Sequence, residues 1–160
     1  FLLGLWERPT DARKRGWSVP RPEVRAAVAD AFDKYHVARM FCDPPHWQAD
    51  VDQWREMFGA DVVKPWHTYA DKKISEATAR VDTLLRAGEL FHAGPLDGDL
   101  RRHVLNTRKT RCRGGWRPAK KEPERKIDAF VALCGAVAAL GDAMAKGDLL
   151  QVDQGVTTLW

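Results

Sequence analysis

The fold is decided in the stretch Val37-Ala38-Arg39-Met40-Phe41-Cys42-Asp43-Pro44-Pro45. Its first six residues form an apolar run that predicts a buried strand, and the two prolines favour a turn into a helix. Asp43 closes the run. A carboxylate at the edge of a core segment is costly unless a helix N-terminus, an Arg or Lys partner, or a metal ion compensates its charge. By position alone, Asp43 is an N-cap of the following helix or a metal ligand at a strand end.

Strands and helices alternate on both sides of this stretch. The predicted elements are a strand at Phe1–Trp6, a helix opened by Pro20-Arg21-Pro22-Glu23, a strand at Val37–Cys42, a helix closed by Gly59, a strand at Val62–Trp66, a helix at Asp71–Ala87, a short strand at Glu89–His92, a basic helix at Asp99–Arg108, a loop at Thr110–Pro123 and a helix at Arg125–Lys146. This alternation indicates an α/β layered domain over residues 1–146, with a tail over 147–160. In open α/β sheets, sites form beyond the carboxyl ends of strands, which is where Asp43 lies.

Composition restricts the class of protein. The 160 residues suffice for one domain with a core, and 44% hydrophobic with 30% charged residues is typical of a soluble globular chain. The uncharged run Ala129–Gly141 is too short to span a bilayer and predicts a buried helix, so no membrane partner is expected. Cys42, Cys112 and Cys134 lack zinc-ligand spacing, which predicts reduced thiols. We expect no signal peptide, because the first apolar run has no basic lead and no small-residue cleavage site. Because Phe1 is not an initiator Met and the chain begins abruptly on an apolar run, we expect a fragment of a longer protein.

Positive charge is concentrated in one block. Residues 101–126 contain eleven Lys/Arg and two Glu, in a chain whose net charge is +4. Such a block indicates a solvated loop or contact with a polyanion. The cations expected to contact a DNA backbone are Arg108, Lys109, Arg111, Arg113, Lys120 and Lys121.

Asp128 lies near the start of the last predicted helix. It shares a helical face with small residues, namely Ala132, Gly135 and Ala139. These would let the helix lie close to a sheet and direct Asp128 toward the sheet's edge. Two other interpretations remain open: a first-turn acid stabilised by the helix dipole, and an ion-pair partner of Arg125 or Lys126.

A carboxylate at a strand end and another at a helix start could together hold divalent cations. Mg²⁺ and Mn²⁺ favour oxygen ligands and keep several waters, so few protein carboxylates suffice. Two such ions about 3.5–4 Å apart can activate water and stabilise the leaving oxygen in phosphodiester cleavage. Asp43 and Asp128 are therefore the candidate catalytic and metal-ligating residues, with the basic block holding the phosphate backbone nearby.

His103 and Asn106 lie one helical turn apart in the basic segment and can share a face. We interpret them as surface polar residues or as supports for the metal ligands, rather than as ligands themselves. Lys126, just before Asp128, is placed in the same supporting group because it could approach a scissile phosphate.

Four pieces of the chain occur in a characteristic order. They are Gly16–Pro20 (GWSVP), Phe41–Trp47 (FCDPPHW) followed by Trp54, Leu100–Asn106 (LRRHVLN) and Lys126–Ala132 (KIDAFVA). Together they resemble the C-terminal nuclease domain of tailed-phage terminase large subunits, over roughly residues 1–146. The resemblance implies an RNase H-like fold, a mixed central sheet flanked by helices, and a metal-dependent endonuclease that cuts concatemeric double-stranded DNA during packaging.

In that family three acidic positions hold Mg²⁺ or Mn²⁺, and the resemblance assigns the second to Asp43 and the third to Asp128. The first belongs to a strand upstream of Phe1, so we expect this chain to lack one ligand, one strand and the upstream ATPase domain, and to be inactive as it stands. The resemblance implies double-stranded DNA, the terminase small subunit and the portal protein as partners, in the host cell cytoplasm and not in the virion. Two alternatives remain: a catalytically silent DNA-binding or packaging-complex module, and another RNase H-like nuclease such as a resolvase or transposase.

Overall fold

A computed structural model describes residues 2–9, 16–92 and 96–149 of the chain. Their helices and strands are α1 Arg21–Lys34, β1 Met40–Cys42, α2 Gln48–Phe58, β2 Val63–Pro65, α3 Asp71–Ala87, α4 Asp97–Leu105, β3 Thr107–Cys112, β4 Gly115–Lys120 and α5 Asp128–Lys146. The predicted mixture of strands and helices is confirmed. The bounds of α3 coincide with those predicted, because an apolar stripe and a closing glycine at Gly88 mark them locally.

The strands form two small sheets. β1 and β2 are parallel, with Met40 opposite Val63 and Cys42 opposite Pro65, and α2 connects them. β3 and β4 form an antiparallel hairpin. Across the described residues, these two pairs stand in place of the mixed central sheet that the family resemblance implies.

Two clusters of buried side chains hold the elements together. The larger packs α3 against α5 and the residue after β2; its members are Trp66, Ile74, Ala77, Val81, Phe130, Cys134 and Val137. The smaller joins α2 to the β1–β2 sheet, with α1 packed on it; its members are Cys42, Val51, Trp54 and Val63. The buried Asp50 of α2 also pairs with Arg21 and Arg25 of α1, so charge joins these two helices as well.

α5 approaches the end of the β1–β2 sheet through its small residues. A Cβ atom on Gly135 would lie 3.7 Å from the Trp66 ring, which is ordinary contact distance. α5 therefore lies against β1, as its small-residue face predicts, although a methyl group would also fit at Gly135. α5 is long and apolar enough to cross a membrane, but the core helix of a soluble protein can have the same length and composition. Its buried Phe130, Cys134 and Val137 pack against α3, as expected for a core helix.

Two predicted strands do not form. Residues 2–6 and 89–92 have no regular secondary structure, and Phe1 lies outside the described residues. An apolar run becomes a strand only where a neighbour pairs with its backbone groups, and within the described ranges neither segment has such a neighbour. β1 is shorter than predicted for the same reason, since its pairing with β2 begins at Met40 rather than Val37.

The predicted loop at Thr110–Pro123 is wrong, because most of it belongs to the β3–β4 hairpin. The basic helix accordingly ends at Leu105 and not at Arg108. The hairpin turn lies against α3, where the Ser75 hydroxyl donates to the Gly114 carbonyl at 2.7 Å and accepts from the Trp116 N–H at 3.1 Å. β3 (TRKTRC) has no alternation of apolar residues, so it is defined by its antiparallel pairing with β4 and not by a local pattern.

The last helix begins at Asp128 rather than at Arg125, so Asp128 is its first residue. The preceding segment is held in a turn by the bond from Arg125 N to Glu122 O at 3.1 Å. Gly147, with φ of 72°, ends the helix in the left-handed region. Of the predicted tail, residues 150–160 lie outside the described part of the chain.

Candidate functional site

Asp43 and Asp128 line the same cleft, which lies at the carboxyl end of β1 and the start of α5. The cleft has a volume of about 480 Å³. Its polar lining residues are Asp43, Thr68, Arg117, Lys120 and Asp128, and its apolar ones include Phe41, Trp66, Ile74 and Val131. The structure thus brings the two predicted acids to one place and adds two cations from β4.

Asp43 is oriented by Thr68, which follows β2. Its Oδ2 accepts a hydrogen bond from the Thr68 hydroxyl at 2.6 Å, and its Oδ1 accepts one from the Thr68 N–H at 3.3 Å. The interpretation of Asp43 as a helix cap is wrong, because α2 begins only at Gln48 with Trp47 at its cap position and has no side-chain cap bond. A carboxylate can accept about four hydrogen bonds, so the exposed Asp43 keeps acceptor capacity for a cation.

Asp128 is exposed at the first position of α5. The helix dipole stabilises an acid at this position, in agreement with one of the alternatives drawn from the sequence. Of the two predicted ion-pair partners, Arg125 bonds instead to Glu122 at 3.1 Å. Dipole stabilisation leaves the carboxylate oxygens available, so it is compatible with cation binding in the cleft.

A third carboxylate, Glu7, lies close to Asp128. One potential ligand atom from each of Glu7, His103 and Asp128 lies within 4.8 Å of the other two. Glu7 also pairs through Oε2 with Arg102 Nη2 at 2.8 Å. The pKa of Arg102 is raised, first by its hydrogen bond to Asp99 and then by the one to Glu7. Sequence reasoning missed Glu7, since it is 96 residues from His103 and no local pattern signals the contact.

His103 is the buried centre of this group, with 0% of its surface exposed. Its Nδ1 accepts a hydrogen bond from the N–H of Ala129 at 2.9 Å, and its Nε2 lies 2.8 Å from Glu7 Oε1. A neutral imidazole has one donor and one acceptor nitrogen. Because Nδ1 accepts, Nε2 carries the proton and donates to Glu7. No lone pair remains for a metal ion, so in this arrangement His103 supports its neighbours and is not a ligand.

Asn106 and Lys126 meet just before α5. Asn106 Nδ2 donates to the backbone carbonyl of Lys126 at 3.0 Å, and the Asn106 carbonyl accepts from Lys121 N at 3.0 Å. Asn106 therefore ties the end of α4 to the end of β4 and to the segment that leads into Asp128. A phosphate contact by the Lys126 side chain stays a prediction.

The predicted DNA-contacting cations lie in three different surroundings. Lys120 lines the cleft with the two acids. Lys109 Nζ pairs with Asp82 at 2.9 Å, and this bond is the main cause of the lowered pKa of that carboxyl. The remaining four side chains are exposed on or beside the hairpin: Arg108, Arg111, Arg113 and Lys121.

Arg117 also lines the cleft, although it was not among the cations singled out from the sequence. Its Nη1 pairs with Asp71 Oδ1 at 2.8 Å, and its Nη2 donates to the Thr68 carbonyl at 3.4 Å. Membership of the basic block was the only signal for it, and that signal does not distinguish Arg117 from its neighbours.

Comparison with known proteins finds similarity to phage proteins. Over 150 aligned residues the chain is 30% identical to the Gene 13 protein of Mycobacterium phage D29 and 29% identical to the Gene 13 protein of Mycobacterium phage L5. No protein-family model and no solved structure matches it. Each alignment covers 86% of this chain and 24% of the phage protein, so the chain spans about a quarter of the length of the curated relatives it matches.

Proposed function

We propose that this chain is the nuclease part of a phage terminase large subunit, a metal-dependent endonuclease that cuts concatemeric double-stranded DNA during packaging. The observation that carries the proposal is the cleft that Asp43 and Asp128 share with Arg117 and Lys120. Carboxylates suit divalent cations, and Arg and Lys suit phosphate oxygens. A phosphodiesterase needs both within reach of one scissile bond.

The lining of the cleft fits Mg²⁺ or Mn²⁺. Its acids are exposed carboxylates, no thiol is among its lining residues in the described ranges, and the nearby His103 has no free lone pair. The available donors are therefore oxygens, which these ions prefer. Asp43 and Asp128 would hold the ions, together with the upstream acid that the family resemblance implies. When bound, the ions supply activation of water and stabilisation of charge on the leaving oxygen.

The cations of β4 would orient the substrate by binding its phosphate oxygens. Arg117 is already held by Asp71 at 2.8 Å, so little side-chain freedom is lost when a phosphate binds. Lys120 lies at the end of β4 and lines the same cleft as the acids. Exposed cations on the same hairpin would contact the duplex away from the scissile phosphate; these are Arg108, Arg111 and Arg113.

The fold and the relatives support the wider context of the proposal. The parallel β1–β2 pair, with Asp43 after β1, suits the RNase H-like arrangement that we propose. The phage relatives are about four times as long as the matched segment, which leaves room for an ATPase domain elsewhere. We propose the terminase small subunit and the portal protein as partners, and the host cell cytoplasm as the place of action.

Cleavage of supercoiled plasmid with Mn²⁺ tests the proposal, using the chain joined to the upstream segment that the resemblance implies. We expect Asp43→Asn and Asp128→Asn to reduce cleavage to background. Asp52→Asn removes an exposed acid of α2 that bonds to Gln48, and it should cut like the parent. If Asp128→Asn cuts at the parental rate, the site assignment is wrong.

The exposed cations of the hairpin favour a second function, DNA binding without cleavage. Binding at several salt concentrations separates the two functions. Lys120→Ala should reduce the slope of log affinity against log salt by about 1, whereas Lys34→Ala on α1 should leave it unchanged. Salt-sensitive binding by an extended parent that never cuts would select the second function. Binding that is indifferent to salt would contradict backbone contact by the basic block.

A further inference from the structure

We propose that His103 is a positioning residue for a divalent cation: it holds Glu7 and the first turn of α5 so that Glu7 and Asp128 offer oxygen atoms to one ion. The inference rests on the proposed function, because it takes Asp128 as a cation ligand. It adds to that function a carboxylate from the N-terminal segment and a buried histidine that sets its position.

The first contact of His103 defines the start of α5. The first N–H groups of a helix have no partner within the helix. Ile127 precedes α5 at the cap position and supplies no side-chain bond. The Ala129 N–H donates instead to His103 Nδ1 at 2.9 Å, so a side chain of α4 caps α5. The residue before Ala129 is Asp128, and its backbone is fixed by the same bond.

The second contact orients Glu7. His103 Nε2 donates to Glu7 Oε1 at 2.8 Å, and Arg102 donates to Oε2 at 2.8 Å. Each carboxylate oxygen has two lone pairs, so both Glu7 oxygens retain one. Two oxygens on opposite sides of a Mg²⁺ ion lie about 4.2 Å apart, from a metal–oxygen distance of about 2.1 Å. A Glu7 oxygen and an Asp128 oxygen lie within 4.8 Å of each other, which is close to that separation.

A purely structural histidine would cap α5 and do nothing through Glu7, and a pair of amide variants separates these roles. His103→Asn places an acceptor near the position of Nδ1 but is too short to donate to Glu7. His103→Gln reaches toward Glu7 but lacks the acceptor at Nδ1. Mn²⁺ alone is titrated into the 160-residue chain and free Mn²⁺ is followed by electron paramagnetic resonance, beside thermal unfolding of each variant.

We expect His103→Asn to melt close to the parent and to bind Mn²⁺ about 10–100-fold more weakly, the usual effect of losing a bond that orients a ligand. Glu7→Gln should weaken binding to a similar extent. The variant with both His103→Asn and Glu7→Gln should lose little more Mn²⁺ affinity than Glu7→Gln alone, because His103 acts through Glu7. His36→Asn, an exposed histidine, is the control and should bind like the parent.

The inference is overturned if His103→Asn binds Mn²⁺ as tightly as the parent. It is also overturned if the affinity losses of His103→Asn and Glu7→Gln simply add in the variant that carries both. If the His103 variants do not fold, Glu7→Gln decides: unchanged affinity there overturns it as well. The inference is likewise overturned if Asp128→Asn binds Mn²⁺ as tightly as the parent, or if the parent does not bind Mn²⁺. The nuclease proposal is judged separately by plasmid cleavage, so its failure and the failure of this inference can be told apart.

Discussion

The Asp43 carboxylate accepts hydrogen bonds from both the hydroxyl and the backbone N–H of Thr68, at 2.6 and 3.3 Å. This contact links the end of β1 to the segment after β2, on the wall of the cleft that also contains Asp128. Thr68 carries no charge, so it orients Asp43 without neutralising it. The carboxylate is thereby held in position and still able to attract a cation.

Replacement of Thr68 tests this link. Thr68→Val removes the hydroxyl donor and keeps the shape, and we expect it to lower the free energy of unfolding by about 1 kcal/mol, the usual net value of one hydrogen bond. Mn²⁺ affinity should fall as well, because Asp43 gains rotational freedom. Thr68→Ser keeps the hydroxyl and should resemble the parent in both chemical denaturation and Mn²⁺ titration. A Thr68→Val chain that binds Mn²⁺ like the parent would show that the orientation of Asp43 is unimportant.

Two glycines provide a matched test of hairpin docking. A Cβ atom on Gly114 would lie 2.9 Å from Lys72 Cα and 3.2 Å from the Asp71 carbonyl oxygen, and these backbone atoms cannot move aside cheaply. We expect Gly114→Ala to cost about 1–3 kcal/mol in urea denaturation. Gly98, within α4, has nothing within 4 Å of its Cβ position, so Gly98→Ala should be neutral or stabilise by up to about 1 kcal/mol. Equal stability of the two variants would argue against the close contact between hairpin and α3.

The ion pairs that join α1 to α2 should show unequal stability losses when the carboxylate or the arginines are replaced. The Asp50 side chain is 0% exposed, whereas those of Arg21 and Arg25 are 44% and 47% exposed. Removal of both arginines leaves a buried carboxylate without compensation, which costs about 3–5 kcal/mol. Asp50→Asn leaves two cations that water can reach, so its cost should be about 1–2 kcal/mol. Both losses of stability can be measured by chemical denaturation of Asp50→Asn and of the variant that carries Arg21→Ala and Arg25→Ala. A larger loss in Asp50→Asn than in the arginine variant would contradict this account.

Two buried thiols predict a loss of stability at alkaline pH. Burial raises the pKa of Cys42 and of Cys134 to about 11, from an ordinary value of 9.0. The unfolded chain therefore ionises these thiols first. Their contribution to stability is complete below pH 9 and is lost as pH rises toward 11. We expect the urea midpoint to fall between pH 8.5 and pH 10.5, and to fall less in Cys134→Ala. An identical fall in that variant would exclude the Cys134 thiol as a cause.

The elements that could be predicted are those whose signals are local. α3 was predicted with its observed bounds, because its apolar stripe through Ile74 and Val81 and its closing Gly88 need no information from elsewhere. The burial of α5 followed in the same way from its long uncharged run. The start of α5 was misplaced by three residues, since the bond from Asn106 to the Lys126 carbonyl that holds the preceding segment is a tertiary contact.

The hairpin illustrates the opposite case. β3 contains three cations and two threonines among its six residues, a composition typical of a solvated loop. Its turn is held by Ser75 through bonds that cross 39 and 41 residues of sequence. Residues 2–6 show the converse error, an apolar run without a pairing strand. Strand formation depends on a partner, and no local pattern encodes where the partner lies.

The sequence by itself determined that the chain is a mixed α/β protein with Asp43 and Asp128 at the edges of buried elements, because hydrophobic periodicity records which faces leave water. Only the tertiary structure decided that the two acids line one cleft, that Thr68 rather than a helix N-terminus orients Asp43, and that Glu7 joins Asp128 through His103. The physical reason is that charge compensation acts over a few ångströms in space. The packing of α5 on the sheet and on α4, and not distance along the chain, brings those groups together.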